Sequence, residues 1–438
     1  MQEEIANHLR NKSILVIGYS REGQSAVDFI QKYLPEAHFA VADQKQLDLP
    51  GIECFCGEDY LAHCDDFDVI IKSPGVPVKD NFSAENRAKI TSCTDLFLQF
   101  CPNTTIGVTG TKGKSTTTSL VHHILTKCGK HAIIGGNIGR SVFDLFDEIT
   151  PDAILVLELS CHQLEFIHKS PNIAILLNLY EEHLDHYNSA EEYYNAKKNI
   201  FRHQNSSDTL IFGDIFQHAT KEEIAAAPAG QKINLATDAQ IDTNKIQTQL
   251  LGAHNLINIR AAAAACEAIG LQEADILEAV KDFRGLPHRL EFVGEFNGIK
   301  FYNDSIATAQ EAVINAVKTI SDADTLILGG MDRGLNYTKL LDFLRTSQLS
   351  NIILLPNTAE RMQRQLNEQP HDKNVIIAEN MSTAVQAAYR VTAPGHSCLL
   401  SPAAASYGFY KNFEERGEVF RANVKKYATL SARSLNEA

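Results

Sequence analysis

The 438-residue sequence predicts an α/β fold with largely parallel sheets. Apolar, β-branched runs recur along the chain with helical stretches between them, the alternation that builds parallel sheets covered on both faces. Several of those runs end in glycine- and hydroxyl-bearing turns, and the length exceeds one ordinary core, which implies two to four domains. In chain order the clearest strands are SILVIGYS (13–20), FDVIIKSPG (67–75), TIGVTG (105–110), AILVLELS (153–160), IAILLNL (173–179), DTLILGG (324–330) and NIILLP (351–356). Between HNLINIR and CEAIG stands the alanine run Ala261 to Ala265, whose propensity places it inside a helix.

Two breaks divide the chain. A helical stretch stops near Cys101, Pro102 and Asn103 before a new strand, and Gly285 and Pro287 in FRGLPHRLEF interrupt a helix before strand-like EFNGIKFYND. Domains over 1–102, 103–286 and 287–438 follow, each of ordinary size. The net charge of −14 argues against nonspecific binding to nucleic acid or anionic membranes, while leaving room for a local basic pocket that holds a phosphorylated ligand. Nine scattered cysteines without a CxxC pair suit free thiols in a reducing compartment, with Cys54 and Cys56 structural. MQEEIANHLR lacks the basic start and apolar core of a leader, and no apolar run reaches the length of a membrane span. The expectation is a cytoplasmic protein with no membrane insertion.

The chemistry concentrates in a few stretches. In TIGVTGTKGKSTTTSL (105–120) a strand runs through a glycine-bracketed loop into a hydroxyl-rich helix start, where backbone N–H groups wrap phosphate. Gly110, Thr111, Lys112, Gly113, Lys114, Ser115 and Thr116 form that loop, with Lys114 neutralising β/γ oxygens and Ser115 reaching magnesium. Its glycines stand closer than in GxxxxGK[ST], and the bland alternative is a glycine turn before a Ser/Thr-capped helix. Glu158 in LVLELSCHQLE and His183 in NLYEEHLDHY each follow a strand, where ligands sit in open α/β sheets. A carboxylate and an imidazole there suit a divalent metal escorting phosphate. Taken singly, Glu158 reads as a helix cap, and His183 or His186 as solvated loop residues.

Ser189 and Glu192 have capping-box spacing, which sets Lys197 and Lys198 about two turns into a helix. From the residues alone these are two solvated surface lysines. ILVIGYSREGQSA has the look of a first strand, turn and helix of a nucleotide-binding domain, but Gly18 and Gly23 do not make GxGxxG. With Asp43 after a second strand and Ser73 to Gly75 after a later one, the segment suits a domain gripping one nucleotide-like group; a structural turn is the alternative at each position.

Together GVTGTKGKST, GGNIG, ELSCHQLE, EEHLDHY, YNAKKNIF, GAHNLINIRAA, GLPHRLE, YNDSIATA, LGGMDRG and SPAAASYGFYKNFEERG resemble the Mur ligases, in the family's order and over nearly the whole chain. The resemblance implies a Rossmann-like N-terminal domain for a UDP-sugar, a central P-loop ATPase domain and a Rossmann-like C-terminal domain admitting the amino acid. It implies ATP and Mg2+ as cofactors, UDP-N-acetylmuramoyl-L-alanine and D-glutamate as substrates, and a monomer. ATP would phosphorylate the alanyl carboxylate, and glutamate's amine would attack the acyl phosphate, in peptidoglycan precursor synthesis. An acyl phosphate can expel phosphate where a carboxylate has no good leaving group, so the site must orient two anions and spread the transferring charge.

Residue by residue, the same resemblance implies that Lys114 contacts the β/γ phosphates and that Ser115 and Glu158 attend the magnesium. His183 would bind a second magnesium. Lys197 matches a carbamylated lysine that helps place that metal, with Lys198 as the frame-shifted alternative; carbamylation needs a neutral amine meeting CO2, hence a depressed pKa or a trapping metal. Asn255 matches a residue near the adenine, with a helix cap as its bland alternative, while Arg289 and Asp304 match ATP contacts beyond a hinge, so that domain closure would complete the site. Tyr19, Ser20, Asp43, Ser73, Gly75 and Asn137 match the UDP-sugar site, and Arg333, Ser406 and Phe413 the glutamate site. One departure stands out: Ile306 occupies the place of a lysine common in NDSKAT, which loosens the expectation for glutamate's placement and handedness. An L-glutamate-adding ligase, a folylpolyglutamate synthetase and a non-catalytic UDP-sugar sensor are the competing readings; GYSREG and SPG argue against the second, and intact Lys114, Glu158, His183 and Lys197 against the third.

Overall fold

The structure, a computed structural model, describes residues 1–438 except 79–81, 182–185, 239–240, 242–244, 251, 253 and 437–438. It forms two compact units, Met1–Thr248 with Ala253–Phe283, and Gln249–Gly252 with Arg284–Ala438.

The first unit carries two parallel sheets. Strands β1 (Ile14–Ile17), β2 (Phe39–Asp43), β3 (Glu53–Cys56), β4 (Val69–Lys72) and β5 (Ile90–Thr91) lie in the order β3-β2-β1-β4-β5. Strands β6 (Thr105–Thr109), β7 (Ala132–Gly136), β8 (Ile154–Glu158), β9 (Ile173–Asn178), β10 (Thr209–Asp214) and β11 (Gln231–Asn234) lie in the order β11-β10-β9-β6-β8-β7. The sequence dictates this layering: β1, β4, β6 and β8 are buried at every position, as strands covered by helices on both faces must be. The second unit holds β12 (Glu291–Phe296), β13 (Ile299–Asn303), β14 (Ala323–Gly329), β15 (Asn351–Leu355), β16 (Asn374–Ile377) and β17 (Ser397–Leu400) in the order β12-β13-β17-β14-β15-β16. Only β12 runs antiparallel in that sheet, joined to β13 through Asn297 and Gly298, whose positive φ of 53° and 75° suit a two-residue hairpin turn.

All seven strands read from the sequence form, and Ala261 to Ala265 lie inside the helix His254–Ala268. Each sheet reverses its strand order at one interior point: β1 beside β4, β6 between β8 and β9, and β14 beside β17. Crevices at the carboxyl ends of such strands are where open α/β sheets bind ligands. The nine cysteines are free thiols, with Cys54 and Cys56 half-buried in β3. Among the described residues no helix is long and apolar enough to cross a membrane.

Candidate active site

β6 ends at Thr109 and the chain turns through Gly110 to Gly113 into the helix Lys114–Lys127. Gly113 caps that helix at φ 91°, and a Cβ there would stand 2.5 Å from Asn258 Oδ1, so both the left-handed backbone and the close approach demand glycine. Asn178, the last residue of β9, clamps the loop: its Oδ1 accepts from the Lys112 N–H at 2.9 Å and its Nδ2 donates to the Lys112 carbonyl at 3.0 Å. Its own carbonyl accepts the Thr111 N–H at 3.1 Å. The Thr111 hydroxyl sits 3.0 Å from the Tyr193 hydroxyl and accepts the Tyr180 N–H at 2.9 Å. Lys114 bends back over the loop, its Nζ donating to the carbonyls of Gly110 (2.9 Å) and Thr111 (3.0 Å). Ser115 and Thr116 follow in the first turn, half-buried and buried respectively. This is a preformed loop with a cation folded onto it, the arrangement that receives phosphate at a helix N-terminus.

Glu158 closes β8, in register with Val108 of β6, so its carboxylate stands at the same sheet edge as the loop. Asn137 donates to its Oε1 at 2.6 Å, while Oε2 is buried without a hydrogen-bond partner. An ionised oxygen left bare in the interior is costly, and a hard divalent cation is the partner it suits. Glu158 is not a helix cap: Ser160 caps the following helix Cys161–Leu164, with Gln163 completing the box. The hydroxyl of Thr109, at the end of β6, is likewise buried and unpartnered.

The helix Ala190–Arg202 starts on Ser189, which accepts the Glu192 N–H, although the Glu192 carboxylate takes the Asn188 N–H instead of completing the box. Both lysines of this helix prove buried, at 1% (Lys197) and 2% (Lys198) exposed, which overturns their reading as solvated surface groups. The helix packs its Tyr193–Phe201 face onto the sheet, and two successive lysines fall within it. Lys197 Nζ donates to the Gly110 carbonyl at 3.1 Å and lies 4.9 Å from the Tyr193 ring centre. Lys198 turns away, to Glu223 (3.2 Å) and Glu191 (3.6 Å). Geometry thus brings Lys197, and not its neighbour, to the phosphate loop.

His183 lies outside the described residues. His186 is not a solvated loop residue: its side chain is 9% exposed, 3.6 Å from Glu165 and packed on His162 at 4.1 Å between ring centres. Asn255 is buried in the first unit and accepts from Asn258 Nδ2 at 2.8 Å.

At the β1/β4 edge, Asp43 accepts the backbone N–H groups of Tyr19 (2.7 Å) and Lys45 (2.8 Å), and Ser73 Oγ donates to the Gly18 carbonyl at 2.5 Å. Tyr19, Ser20, Asp43, Ser73 and Gly75 therefore share one edge, with Ser20 and Gly75 exposed. Arg21 carries this edge to the central sheet, donating to the carbonyls of Gly139 (2.7 Å), Gly136 and Asn137 (3.3 Å each). Two buried pairs join the same sheets: Gln163 donates to Glu22 at 2.6 Å, and Lys72 meets Glu165 at 3.3 Å. Burial pushes the Glu22 carboxyl up to about 7 and the Lys72 ammonium below its ordinary value.

In the second unit Asp304 is buried after β13, accepting from Ser401 Oγ (2.8 Å) and the Leu290 N–H (3.2 Å), and burial raises its carboxyl to about 6. Arg289 and Arg333 are exposed, Ser406 is buried, and Phe413 opens the long helix Phe413–Asn436. Ile306 is half-buried, its N–H on the His288 carbonyl at 3.1 Å. Reading the sequence missed Asn178, Asn258, Tyr193 and Arg21. Asn178 is a polar residue ending an apolar strand and Asn258 stands one helical turn from Asn255, so both carried a weak signal; Tyr193 and Arg21 carried none.

A phosphate loop at the edge of a parallel sheet, a bare carboxylate oxygen beside it and a buried lysine on its backbone define a nucleotide-using enzyme of the P-loop class. Comparison with known proteins narrows this. A model of the Mur ligase middle domain matches residues 108–266, and one of the Mur ligase glutamate ligase domain matches 288–404. A relative from Clostridium kluyveri called UDP-N-acetylmuramoylalanine–D-glutamate ligase is 32% identical, covering 96% of this chain and 98% of its own. One of the same name from Symbiobacterium thermophilum is 34% identical over 86% and 88%. The UDP-N-acetylmuramate-alanine ligase of Thermotoga maritima shares the fold at a TM-score of 0.56 and 18% identity, covering 96% of this chain and all of its own. The chain belongs to the Mur ligase family, and it is an acid–amino-acid ligase.

Proposed function

We propose that this ligase joins D-glutamate to UDP-N-acetylmuramoyl-L-alanine with cleavage of ATP to ADP and phosphate through an acyl phosphate, in cytoplasmic peptidoglycan precursor synthesis. The observation that carries the reading is the unpartnered, buried Glu158 oxygen on the sheet edge that holds the Gly110–Lys114 loop and Lys197. The relatives bearing the D-glutamate ligase name support the choice of amino acid.

The loop N–H groups and Lys114 hold the β/γ phosphates and spread the charge of the phosphoryl group as it passes to the alanyl carboxylate. Ser115 and Glu158, with His183 and Lys197 for a second ion, would hold Mg2+, which would supply positive charge to offset that of the phosphates. Lys197 would serve there as its carbamate, formed when its neutral amine adds CO2 and gives up a proton. Tyr19, Ser20, Asp43, Ser73, Gly75 and Asn137 form the UDP-sugar subsite, Asn255, Arg289 and Asp304 the remaining nucleotide contacts, and Arg333, Ser406 and Phe413 the glutamate subsite.

The test supplies purified protein with UDP-N-acetylmuramoyl-L-alanine, ATP and either D- or L-glutamate, and follows phosphate release and product mass. Phosphate and a product heavier by one glutamyl residue are expected with the D enantiomer alone. Silence with both would sink the ligase reading; turnover of L-glutamate alone would reverse its handedness.

A further inference from the structure

The strand beside the phosphate loop continues into it. β9 pairs with β6 in parallel register, Ile175 opposite Val108 and Leu176 opposite Thr109. Past the end of β6 the ladder persists, because the Asn178 carbonyl accepts the Thr111 N–H at 3.1 Å. The Asn178 side chain then takes over: Oδ1 accepts the Lys112 N–H at 2.9 Å and Nδ2 donates to the Lys112 carbonyl at 3.0 Å. A side-chain amide thus stands in for a backbone peptide group. A carboxamide carries acceptor and donor on one planar group, which an ionised carboxylate of the same size does not.

Two further contacts press the loop onto this strand end. At Gly110, with φ 152°, a Cβ would stand 3.0 Å from Leu177 Cβ and 3.3 Å from the Asn178 nitrogen. The Thr111 hydroxyl accepts the Tyr180 N–H at 2.9 Å and lies 3.1 Å from the Tyr180 carbonyl. The N–H groups of Thr111 and Lys112 are therefore spent on the protein itself. In the helix Lys114–Lys127 the first backbone bond runs from the Thr117 N–H to the Gly113 carbonyl at 3.0 Å, so phosphate would meet the turn before it.

We infer that Asn178 is the positioning residue of the phosphate loop: its side-chain amide carries the pairing of β9 beyond β6 and fixes Lys112, so that Lys114 and the helix start stand ready for the nucleotide. This deepens the proposed function and rests on its assignment of ATP to this loop. Asn178 acts through Lys112, without touching the nucleotide. Order already built into the loop is order that binding need not supply, so the clamp contributes to nucleotide affinity.

The experiment measures KM for ATP and for UDP-N-acetylmuramoyl-L-alanine, with ADP affinity by calorimetry, in wild type, Asn178→Ala and Asn178→Asp. Asn178→Ala should raise the ATP KM and weaken ADP binding about fivefold or more, as loss of a paired donor and acceptor implies, and leave the UDP-sugar KM within about twofold. Asn178→Asp keeps the size and the acceptor but sets a second oxygen against the Lys112 carbonyl, and should lose at least as much. A smaller effect on ATP in a folded Asn178→Ala would overturn the inference, and a loss confined to Asn178→Asp would do the same, since it would be charge repulsion. Equal losses on ATP and the UDP-sugar would make Asn178 a general scaffold and overturn it too. Should the variants not fold, amide hydrogen exchange of nucleotide-free wild type decides: Thr111 and Lys112 should exchange about tenfold or more below the unstructured rate, and faster exchange would sink the clamp. A wild type that binds no ADP would instead fault the reading on which the inference rests.

Discussion

The central sheet's edge and the third sheet's edge solve opposite problems of charge. At the first, Lys114 and Lys197 are both turned onto backbone carbonyls of one short loop, and a carboxylate oxygen of Glu158 waits bare beside them. At the other, Arg416 is sealed among neutral oxygens while Arg333 stands in solvent. At the first edge the cations reach carbonyls of a loop at a helix N-terminus, a place suited to phosphate. The second fixes the Arg416 guanidinium on the Ser305 hydroxyl and carbonyl and the Ala404 carbonyl, a frame that ties two turns to its helix.

The sharpest way to break this contrast is to remove the cation that lies on the loop, Lys114. Lys114→Ala should lower kcat by about 10³-fold or more, since a charge that stabilises a transferring phosphoryl group acts chiefly in the transition state. Binding of the UDP-sugar, measured by calorimetry, should survive, because Tyr19, Asp43 and Ser73 belong to another sheet. Equal loss of both would point to misfolding or to a wrong assignment of the two subsites.

Next in size is Lys197→Ala, which should be nearly inactive and recover part of its rate when a short carboxylic acid is added to stand in for the carbamate. Full activity without the acid would remove Lys197 from the site.

At the third edge, Asp304 offers an effect on stability rather than rate. Its carboxyl is raised to about 6 in the folded protein from an ordinary value near 3.8, so the protonated form is favoured by folding. The stability this group contributes is complete below pH ~4 and is lost as pH rises through about 6. Asp304→Asn should therefore raise Tm by a few degrees near pH 7.5, with the gain gone at pH 4. A gain that persists at pH 4 would show that ionisation is not its cause.

How much of this was legible beforehand depended on contiguity. The loop from Gly110 to Thr116 binds with consecutive residues, so its chemistry stands in one line of sequence. Strand ends were legible too, because long β-branched runs stop visibly at Glu158 and Ser73. Lys197 was not: its helix has the same residue type at 198, and only packing distinguishes the lysine that meets Gly110 from the one that meets Glu223. Arg416 was less legible still, since its partners Ser305 and Ala404 come from turns 111 and 12 residues away and are a hydroxyl and carbonyls that carry no sequence signature.

The smallest predicted effect tests that distinction between the two neighbouring lysines. Lys198 pairs with Glu223, whose side chain is 38% exposed, and with the more exposed Glu191. Such half-solvated pairs are worth about 1 kcal/mol or less, because water screens the partner carboxylates. Its aliphatic stem, by contrast, is buried and would be matched by an unbranched apolar side chain. Lys198→Met should therefore keep kcat within about twofold of wild type and shift stability by about 1 kcal/mol, read from chemical denaturation. A loss of turnover comparable to that of Lys197→Ala, with the fold intact by circular dichroism, would mean that the two lysines exchange places during catalysis and that the geometry assigning the loop to Lys197 describes one state of two.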